Sequence, residues 1–317
     1  MLTEQPKLSS IDTRDAFFDE LYNIARNDRQ VVFLTADMGA YSLARFKKDL
    51  PKQYINVGVA EQNMVSVAAG LSLSGKKVFI YSITPFTTFR CFEQIKIDLS
   101  GMNLPVVIVG MGTGFTYSGD GPTHHAIHDL AVMRVLPGFA ILNPADAVAT
   151  AQAAQKAYQS QGPVYVRIEK GQWPAIYNST TFDMEVGMNL LREGEDVVLI
   201  SSGIMLHKAL EAAEHLQQRC ISAAVIDLFQ VKPIDKDLLL RFIRRSKAVV
   251  TLEENSLIGG VGSLVCEILA DAQKYIPIKR LGIRDEHSFI SGSRHDLQEE
   301  YQLDVNSIVE SIVDFLE

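Results

Sequence analysis

A glutamate, Glu61, lies where an apolar run changes into a helical pattern. Residues 54–70 read YINVGVAEQNMVSVAAG, in which alternating apolar residues give way to small residues. This order predicts a strand that leads into a helix, with Glu61 at or near the first helical turn. Ligands of open α/β sheets bind at the carboxyl ends of the strands, which is where this residue would lie. The helix dipole alone also favours an acid there, so Glu61 needs further signals before a function is assigned.

An aromatic run follows the next predicted strand. Phe86, Phe89 and Phe92 are spaced i, i+3, i+6 in PFTTFRCF, and on the helix predicted for residues 86–99 they would share one face. Such a stripe is commonly part of a hydrophobic core. Beside Glu61, however, it would suit a flat heteroaromatic ring, because aromatic side chains stack on the ring faces and a carboxylate binds a ring nitrogen.

A glycine-rich segment, GTGFTYSGDGPTHH, covers residues 112–125. It is predicted to form a tight loop that presents Asp120 and His124 to a cleft. His125 and His128 lie close by, so a transition-metal site is an alternative. His124 and His125 are adjacent, and His124 lies in the predicted loop although it is four residues before His128. No clean helical i, i+4 pair therefore exists, and we predict no metal ligands in this chain. Dinucleotide, P-loop and nucleophile-elbow motifs are all missing from the sequence.

Short apolar segments alternate with amphipathic helical segments in two series, separated by residues 171–193, where the periodicity fades. The alternation predicts an α/β fold of two consecutive domains, each a mostly parallel sheet covered by helices on both faces. We place an N-terminal arm at residues 1–10, a first domain at 11–185 and a second at 186–317.

Composition narrows the function classes. The 317 residues are 47% hydrophobic and carry a formal net charge of −8, which argues against nucleic-acid binding. Three widely spaced cysteines in apolar settings indicate reduced thiols and not a disulfide framework: Cys91, Cys220 and Cys266. No signal peptide or membrane-spanning apolar run is evident, so we expect a cytoplasmic protein that does not bind membranes.

Several of these segments occur in the order seen in transketolases. They are VGVAEQNMVSVAAGLSLSG, the F-x-x-F-x-x-F run, GDGPTHHAIHDLAVMR, the P-G-x-x-x-x-N-P-A-D stretch and VYVRIEKG. The chain resembles the C-terminal half of a transketolase, which is a pyrimidine-binding domain followed by a C-terminal domain. Deoxyxylulose-phosphate synthases and the beta subunits of 2-oxo acid dehydrogenases share this layout.

The resemblance implies a thiamine diphosphate cofactor. Glu61 matches the family glutamate that hydrogen-bonds the aminopyrimidine and favours the imino tautomer, which removes the thiazolium C2 proton. The resulting carbanion attacks a ketose carbonyl, and the cofactor acts as the electron sink. Phe86, Phe89 and Phe92 match the aromatic pocket around the pyrimidine.

The resemblance also implies substrate contacts. Asp120 and His124 match residues that bind sugar hydroxyls and the developing oxyanion, so that His124 joins Glu61 as a catalytic candidate. Arg167 matches a sugar-phosphate arginine, and a guanidinium fork suits that group. Two weaker matches are Arg14, to a phosphate-binding arginine, and Asp37, to an interface acid that we place with the cofactor-binding residues.

The sequence does not contain the diphosphate- and magnesium-binding domain of a transketolase. The resemblance therefore implies a split enzyme, in which an N-terminal partner subunit supplies most of the contacts to Mg²⁺ and the diphosphate in an α2β2 assembly. Self-association through both domains of this chain is expected, and the chain alone should be inactive. The family's phosphate-binding histidine is missing before His124, which leaves open a non-phosphorylated, sulfonated, branched or amino-bearing sugar.

Three interpretations compete. The first is transfer of a two-carbon ketol unit between a ketose and an aldose. The second is a beta subunit that decarboxylates a 2-oxo acid, or a deoxyxylulose-phosphate-synthase-like enzyme. The third is a non-catalytic assembly subunit. The DGPTHH loop and Arg167, followed by IEKG, favour the first. A metal-dependent hydrolase built on the histidines is a distant fourth.

Overall fold

The computed structural model describes residues 11–317, so the predicted arm lies outside the described residues. The described chain forms two compact units. The first unit contains residues 11–112 and 133–185, and the second contains residues 113–132 and 186–317. The domain bounds inferred from the sequence stay a prediction.

The first unit is built on a parallel sheet. Up to residue 185 the helices are α1 (Thr13–Asn27), α2 (Tyr41–Asp49), α3 (Glu61–Leu73), α4 (Thr84–Thr88), α5 (Phe92–Gln94), α6 (Asp129–Arg134) and α7 (Ala147–Gln159). The strands are β1 (Val31–Thr35), β2 (Tyr54–Asn56), β3 (Lys77–Ile83), β4 (Val106–Met111), β5 (Ala140–Leu142) and β6 (Val164–Ile168). These strands pair in parallel in the order β5-β6-β4-β3-β1-β2.

The second unit contains a second, mixed sheet. The strands of this unit are β7 (Asn189–Arg192), β8 (Val197–Ser201), β9 (Ala223–Asp227), β10 (Gln230–Lys232), β11 (Ala248–Ser256) and β12 (Ile278–Ile283), and all of them except β10 form this sheet. Its helices are α8 (Met205–Gln218), α9 (Lys236–Ile243), α10 (Val261–Asp271), α11 (Arg294–Glu300) and α12 (Val305–Leu316). The sheet order is β12-β11-β8-β9-β7, and β7 is antiparallel to β9 while the other pairs are parallel. The predicted fold class, two mostly parallel α/β sheets flanked by helices, is confirmed.

Aromatic side chains fix helix α1 against the first sheet. The Phe18 ring meets the ring of Tyr81 edge-on at 4.7 Å and that of Phe33 at 5.6 Å. Phe17 reaches Phe79 at 6.4 Å. Edge-to-face ring pairs of this kind stabilise a core beyond their buried area. The packing places α1 over the paired strands β1 and β3, and the candidate site residues Asp37 and Phe86 follow these strands.

The prediction of one continuous helix over residues 86–99 is wrong. Helix α4 ends at Thr88, α5 begins at Phe92, and a π-helical turn covers Ile95–Ser100. The hydroxyls of Thr87 and Thr88 donate back to carbonyls one turn earlier, the latter at 2.7 Å to Thr84. Such back-bonding bends helices. The three phenylalanines therefore do not lie along one regular helix.

Among the helices of residues 11–317, none is both long and apolar enough to cross a bilayer.

A buried aspartate joins helix α7 to the segment that leaves the first sheet. Asp146 is fully buried and caps α7 by accepting a hydrogen bond from Ala149 N at 2.8 Å. Its other oxygen accepts from Ile176 N at 2.7 Å and Tyr177 N at 2.9 Å. One carboxylate therefore bonds three backbone donors, of which Ala149 N is buried and Ile176 N and Tyr177 N are partly buried.

We expect Asp146→Ala to lower the free energy of unfolding by about 2–4 kcal/mol, because one buried and two partly buried backbone donors lose their acceptor. The matched control is Asp235→Ala, which removes an exposed cap bonded to Leu238 N at 2.8 Å and should cost about 1 kcal/mol. Urea unfolding followed by circular dichroism measures both. Fluorescence of Trp173, the single tryptophan, reports on the segment beside Ile176. Equal losses in the two variants would contradict the assignment.

Candidate functional site

Four of the nine predicted site residues lie at or shortly after the carboxyl ends of strands in the first sheet. Asp37 follows β1, Glu61 is the first residue of α3 after β2, and Phe86 lies in α4 after β3. Arg167 lies in β6, one residue before its end. Since this edge of a parallel sheet is where ligands bind, the topology gives these residues a common location.

Glu61 is a buried carboxylate with a nearby cation. It is 2% exposed, and its Oε2 accepts a hydrogen bond from Arg90 Nη1 at 2.7 Å. Ser82 Oγ lies 3.5 Å from Oε1. The guanidinium carbon of Arg90 lies 4.1 Å from the centre of the Phe86 ring. Glu61, Arg90 and Phe86 thus form a layered group in which a flat N–H donor stacks on an aromatic ring and bonds the carboxylate.

Arg90 was missed in the sequence analysis. The sequence feature that could have identified Arg90 is its place as the one charged residue inside the aromatic run PFTTFRCF, which follows a strand. The contacts of Arg90 also indicate whether Glu61 and Phe86 fit a cofactor pyrimidine. A planar nitrogen base that donates to Glu61 and stacks on Phe86 has the same chemistry as the guanidinium that makes both contacts, so the residues fit such a group.

The neighbouring thiol, Cys91, is not a nucleophile. Burial and, to a smaller extent, the negative charge of Glu61 raise its pKa to about 12, against the opposing effect of the Arg90 charge. Its Sγ lies 2.9 Å from the carbonyl oxygen of Phe86. A buried thiol that stays protonated at neutral pH is a packing group.

The other two phenylalanines lie on different segments. Phe89 is 36% exposed in the turn after α4, and Phe92 is half-buried as the first residue of α5. Phe86, by contrast, is joined to Glu61 by way of Arg90. The roles of Phe89 and Phe92 in a pyrimidine pocket stay predictions.

Arg14 and Arg167 belong to segments that the structure joins. Thr13, at the start of α1, donates from its backbone N to Gly171 O at 3.0 Å and from its hydroxyl to Glu169 O at 2.7 Å. Arg167 is 5% exposed, and Arg14 Nε lies 3.7 Å from Asp15 Oδ1, so that a neighbouring acid partly neutralises its charge.

Asp37 is held in an uncommon backbone conformation. Its φ is +59°, and it exchanges two hydrogen bonds with Asn56, whose side-chain amide donates to Asp37 Oδ1 at 2.9 Å while Asp37 N donates to Asn56 Oδ1 at 3.1 Å. The pair links the ends of β1 and β2. Asp37 is exposed, which is compatible with the predicted interface role.

Asp120 and His124 lie in the second unit, on the segment of residues 113–132 that we call the loop segment. Asp120 N donates to Tyr117 O at 3.1 Å, and His124 N donates to Gly121 O at 2.9 Å. His124 Nδ1 lies 3.0 Å from the Thr123 hydroxyl. Consecutive turns therefore present an exposed carboxylate and a half-buried imidazole from one loop.

The other histidines of the loop segment face different neighbours. His125 is buried with its ring edge-on to Phe115 at 5.0 Å, and His128 lies 5.7 Å from the ring of His287. Burial lowers the pKa of both His125 and His128, with the charge of His287 adding to the effect at His128. Within residues 11–317 no group of three or more metal-ligating side chains is placed to hold an ion.

Comparison with known proteins agrees with this geometry. Residues 9–175 match the family described as "Transketolase, pyrimidine binding domain", and residues 187–308 match "Transketolase, C-terminal domain". An apulose-4-phosphate transketolase subunit of Phocaeicola vulgatus is 35% identical over 96% of this chain and 98% of its own. The 6-deoxy-6-sulfo-D-fructose transketolase subunit of a Clostridium strain is 37% identical, and the match covers 96% of this chain and 94% of that subunit.

A solved structure described as a split gene transketolase, in an inactive beta4 tetramer, superposes with a TM-score of 0.89. It is 37% identical, and the match covers 97% of this chain and 99% of that one. The resemblance stated from the sequence motifs is confirmed, and the chain belongs to the transketolase family.

Proposed function

We propose that the chain is the C-terminal subunit of a split, thiamine diphosphate-dependent transketolase. The observation that carries the proposal is the buried Glu61 carboxylate, which is bonded by a planar N–H donor that stacks on Phe86. A carboxylate held at 2% exposure beside an aromatic ring is what binding of an aminopyrimidine requires.

Bound thiamine diphosphate supplies an electron sink for breaking the carbon–carbon bond beside a carbonyl. Glu61 holds the proton shared with the pyrimidine ring nitrogen, and burial keeps water from competing for it. Phe86 stacks on the ring, with Phe89 and Phe92 as further walls. Asp37 contributes from the end of β1.

The proposed reaction transfers a two-carbon ketol unit from a ketose to an aldose. Asp120 and His124 bind sugar hydroxyls, and His124 donates a hydrogen bond or a proton to the oxygen that gains charge. Arg167 and Arg14 bind an anionic group at the far end of the sugar. Two relatives whose names contain a sugar phosphate and a sulfonated sugar support an anionic substrate.

The proposed enzyme needs a second polypeptide. An N-terminal subunit supplies most of the Mg²⁺ and diphosphate contacts in an α2β2 assembly, in which this chain also self-associates. The subunit names of the relatives support this, as does the beta4 tetramer of the related split transketolase, which is described as inactive.

Native mass spectrometry of the tagged protein, recovered from its own host, tests the assembly. We expect a second, shorter chain in equal ratio, with thiamine diphosphate retained. The recovered complex is then assayed with apulose 4-phosphate and 6-deoxy-6-sulfo-D-fructose as donors and glyceraldehyde 3-phosphate as acceptor. A bare homo-oligomer that binds no cofactor when thiamine diphosphate, Mg²⁺ and candidate partners are added would refute the proposal. Release of carbon dioxide from a 2-oxo acid would favour a decarboxylating enzyme instead.

Glu61→Gln is expected to lower kcat of the reconstituted complex by about 10²–10⁴-fold, because the amide cannot take up the shared proton. Subunit ratio and thermal stability should change little. The control is Glu193→Gln, which alters an exposed glutamate of the second unit and should leave the rate unchanged. Full activity in Glu61→Gln would point to a non-catalytic assembly subunit.

Phe86→Leu is expected to raise the thiamine diphosphate concentration for half-maximal activity by about three- to ten-fold, since a stacked aromatic pair contributes about 0.5–1.5 kcal/mol. At saturating cofactor, kcat should remain near the wild-type value. Phe289→Leu, at a ring that is 80% exposed, is the matched control. An unchanged cofactor requirement in Phe86→Leu would exclude stacking on this ring.

A further inference from the structure

Two adjacent glutamates near the end of β11 are both buried, yet they bind different parts of the second unit. Glu253 is 3% exposed and Glu254 is 4% exposed. Successive side chains of a strand point to opposite faces. Glu253 accepts from Val261 N at 2.7 Å and Gly262 N at 2.8 Å, at the start of α10. Glu254 contacts the loop segment.

The Glu254 carboxylate is surrounded by donors. Oε2 accepts from Phe115 N at 2.9 Å, and Arg294 Nε lies 3.0 Å from Oε1 and 3.1 Å from Oε2. Arg294 Nη2 reaches Oε2 at 2.5 Å, and Gln298 Nε2 reaches Oε1 at 2.5 Å. Burial raises the pKa of Glu254, but the charge and hydrogen bonds of Arg294, with those of Phe115 N and Gln298, outweigh burial and lower it overall. The carboxylate therefore remains charged and bound at neutral pH.

The loop segment passes directly over this carboxylate. Gly114 has φ +51°, and a Cβ added there would lie 1.9 Å from Glu254 Oε2. Arg294 Nη2 also donates to Thr113 O at 3.3 Å. The Phe115 ring stacks on Tyr301 with the ring centres 5.5 Å apart. The beginning of the loop segment is thus held by hydrogen bonds, by close backbone approach and by ring packing.

The far end of the loop segment is held by the residues that follow Glu254. Ser256 N donates to Ile127 O at 2.6 Å. A Cβ on Gly259 would come within 2.7 Å of the Ala131 Cβ, so the turn before α10 lies close against helix α6. The residues between the two anchors include Asp120 and His124.

We propose that the Glu254–Arg294 pair is the positioning device of the sugar-binding loop, and that the C-terminal domain thereby sets sugar affinity without contacting the sugar. The proposal deepens the function proposed above and rests on it for the identity of the ligand. Glu254 and Arg294 are positioning residues, because they bond the backbone of the loop segment, at Phe115 N and Thr113 O.

Hydrogen–deuterium exchange of the chain alone tests the positioning step without any enzyme assay. Glu254→Gln and Arg294→Met should raise amide exchange in residues 113–127 by about ten-fold or more, because the charged anchor is lost. Residues 261–265 at the start of α10 should keep their exchange rates. The matched control, Glu253→Gln, should give the reverse pattern.

A substitution in the loop segment disturbs the contact between Gly114 and Glu254 without changing Glu254. It provides a second test if Glu254→Gln does not fold. Gly114→Ala should raise loop exchange while Glu254 and Arg294 remain. Gly119→Ala is its control, because a Cβ there meets nothing within 4 Å. Unchanged loop exchange in Gly114→Ala and Arg294→Met, or an equal rise across the whole second unit, would overturn the positioning role.

Kinetics of the reconstituted complex then test the effect on the sugar. The substrate is whichever of the two donors, apulose 4-phosphate or 6-deoxy-6-sulfo-D-fructose, the wild-type complex converts faster. Glu254→Gln should raise the KM for this donor by about ten- to a hundred-fold, since small displacements of binding groups are costly. The thiamine diphosphate requirement should not change, and Glu253→Gln should keep the wild-type KM. A wild-type KM in Glu254→Gln would overturn the proposal. An inactive wild-type complex would instead refute the proposed function, while the exchange data would still decide whether the pair holds the loop.

Discussion

A charge buried at the edge of a parallel sheet is the constraint on which the first unit's site depends. Removing a carboxylate from water costs several kcal/mol unless a cation and hydrogen bonds compensate. Glu61 lies at the start of α3, where the helix dipole favours an acid, and it is bonded by Arg90 at 2.7 Å. Arg90 in turn stacks on Phe86. The Phe86 ring, the Arg90 guanidinium and the Glu61 carboxylate therefore form one connected group, and replacing any one of them alters the environment of the other two.

The second unit satisfies the same constraint with a different geometry. The Arg90 side chain is 42% exposed and bonds Glu61 through one nitrogen, whereas the Arg294 side chain is 19% exposed and bonds both oxygens of Glu254. Water can solvate the first arginine if a ligand takes over its contact, so displacing it is inexpensive. The second arginine is enclosed, and breaking its pair leaves the buried Glu254 carboxylate without an opposite charge. The first arrangement suits exchange with a ligand, and the second suits permanent attachment of a backbone segment.

Local patterns were sufficient to predict the alternation of strands and helices and the position of Glu61 at a helix start. Features that depend on tertiary contacts were missed. Helix α2 was not predicted because it carries few apolar residues, and β7 was not predicted because it is an edge strand within residues 171–193, where the periodicity fades. The helix break after Thr88 arises from threonine hydroxyls that bond back to the preceding turn, which spacing does not reveal. Arg90 was overlooked because the aromatic residues around it satisfied the expected pattern.

The loop segment shows why chain order is a poor guide to which unit holds a binding loop. Its glycines and turns predicted a tight loop, and its motif predicted the sugar contacts, but neither identifies its attachment. Phe115 is 139 positions from Glu254, and Thr113 is 181 positions from Arg294. Contacts over long separations, among them these two hydrogen bonds and the packing of Phe115 on Tyr301, attach the segment to the second unit. If Asp120 and His124 bind sugar as proposed, substitutions near Glu254 can change sugar affinity while every sugar contact stays intact. The C-terminal domain, which carries no catalytic motif of its own, would then act through the precision with which it holds this loop.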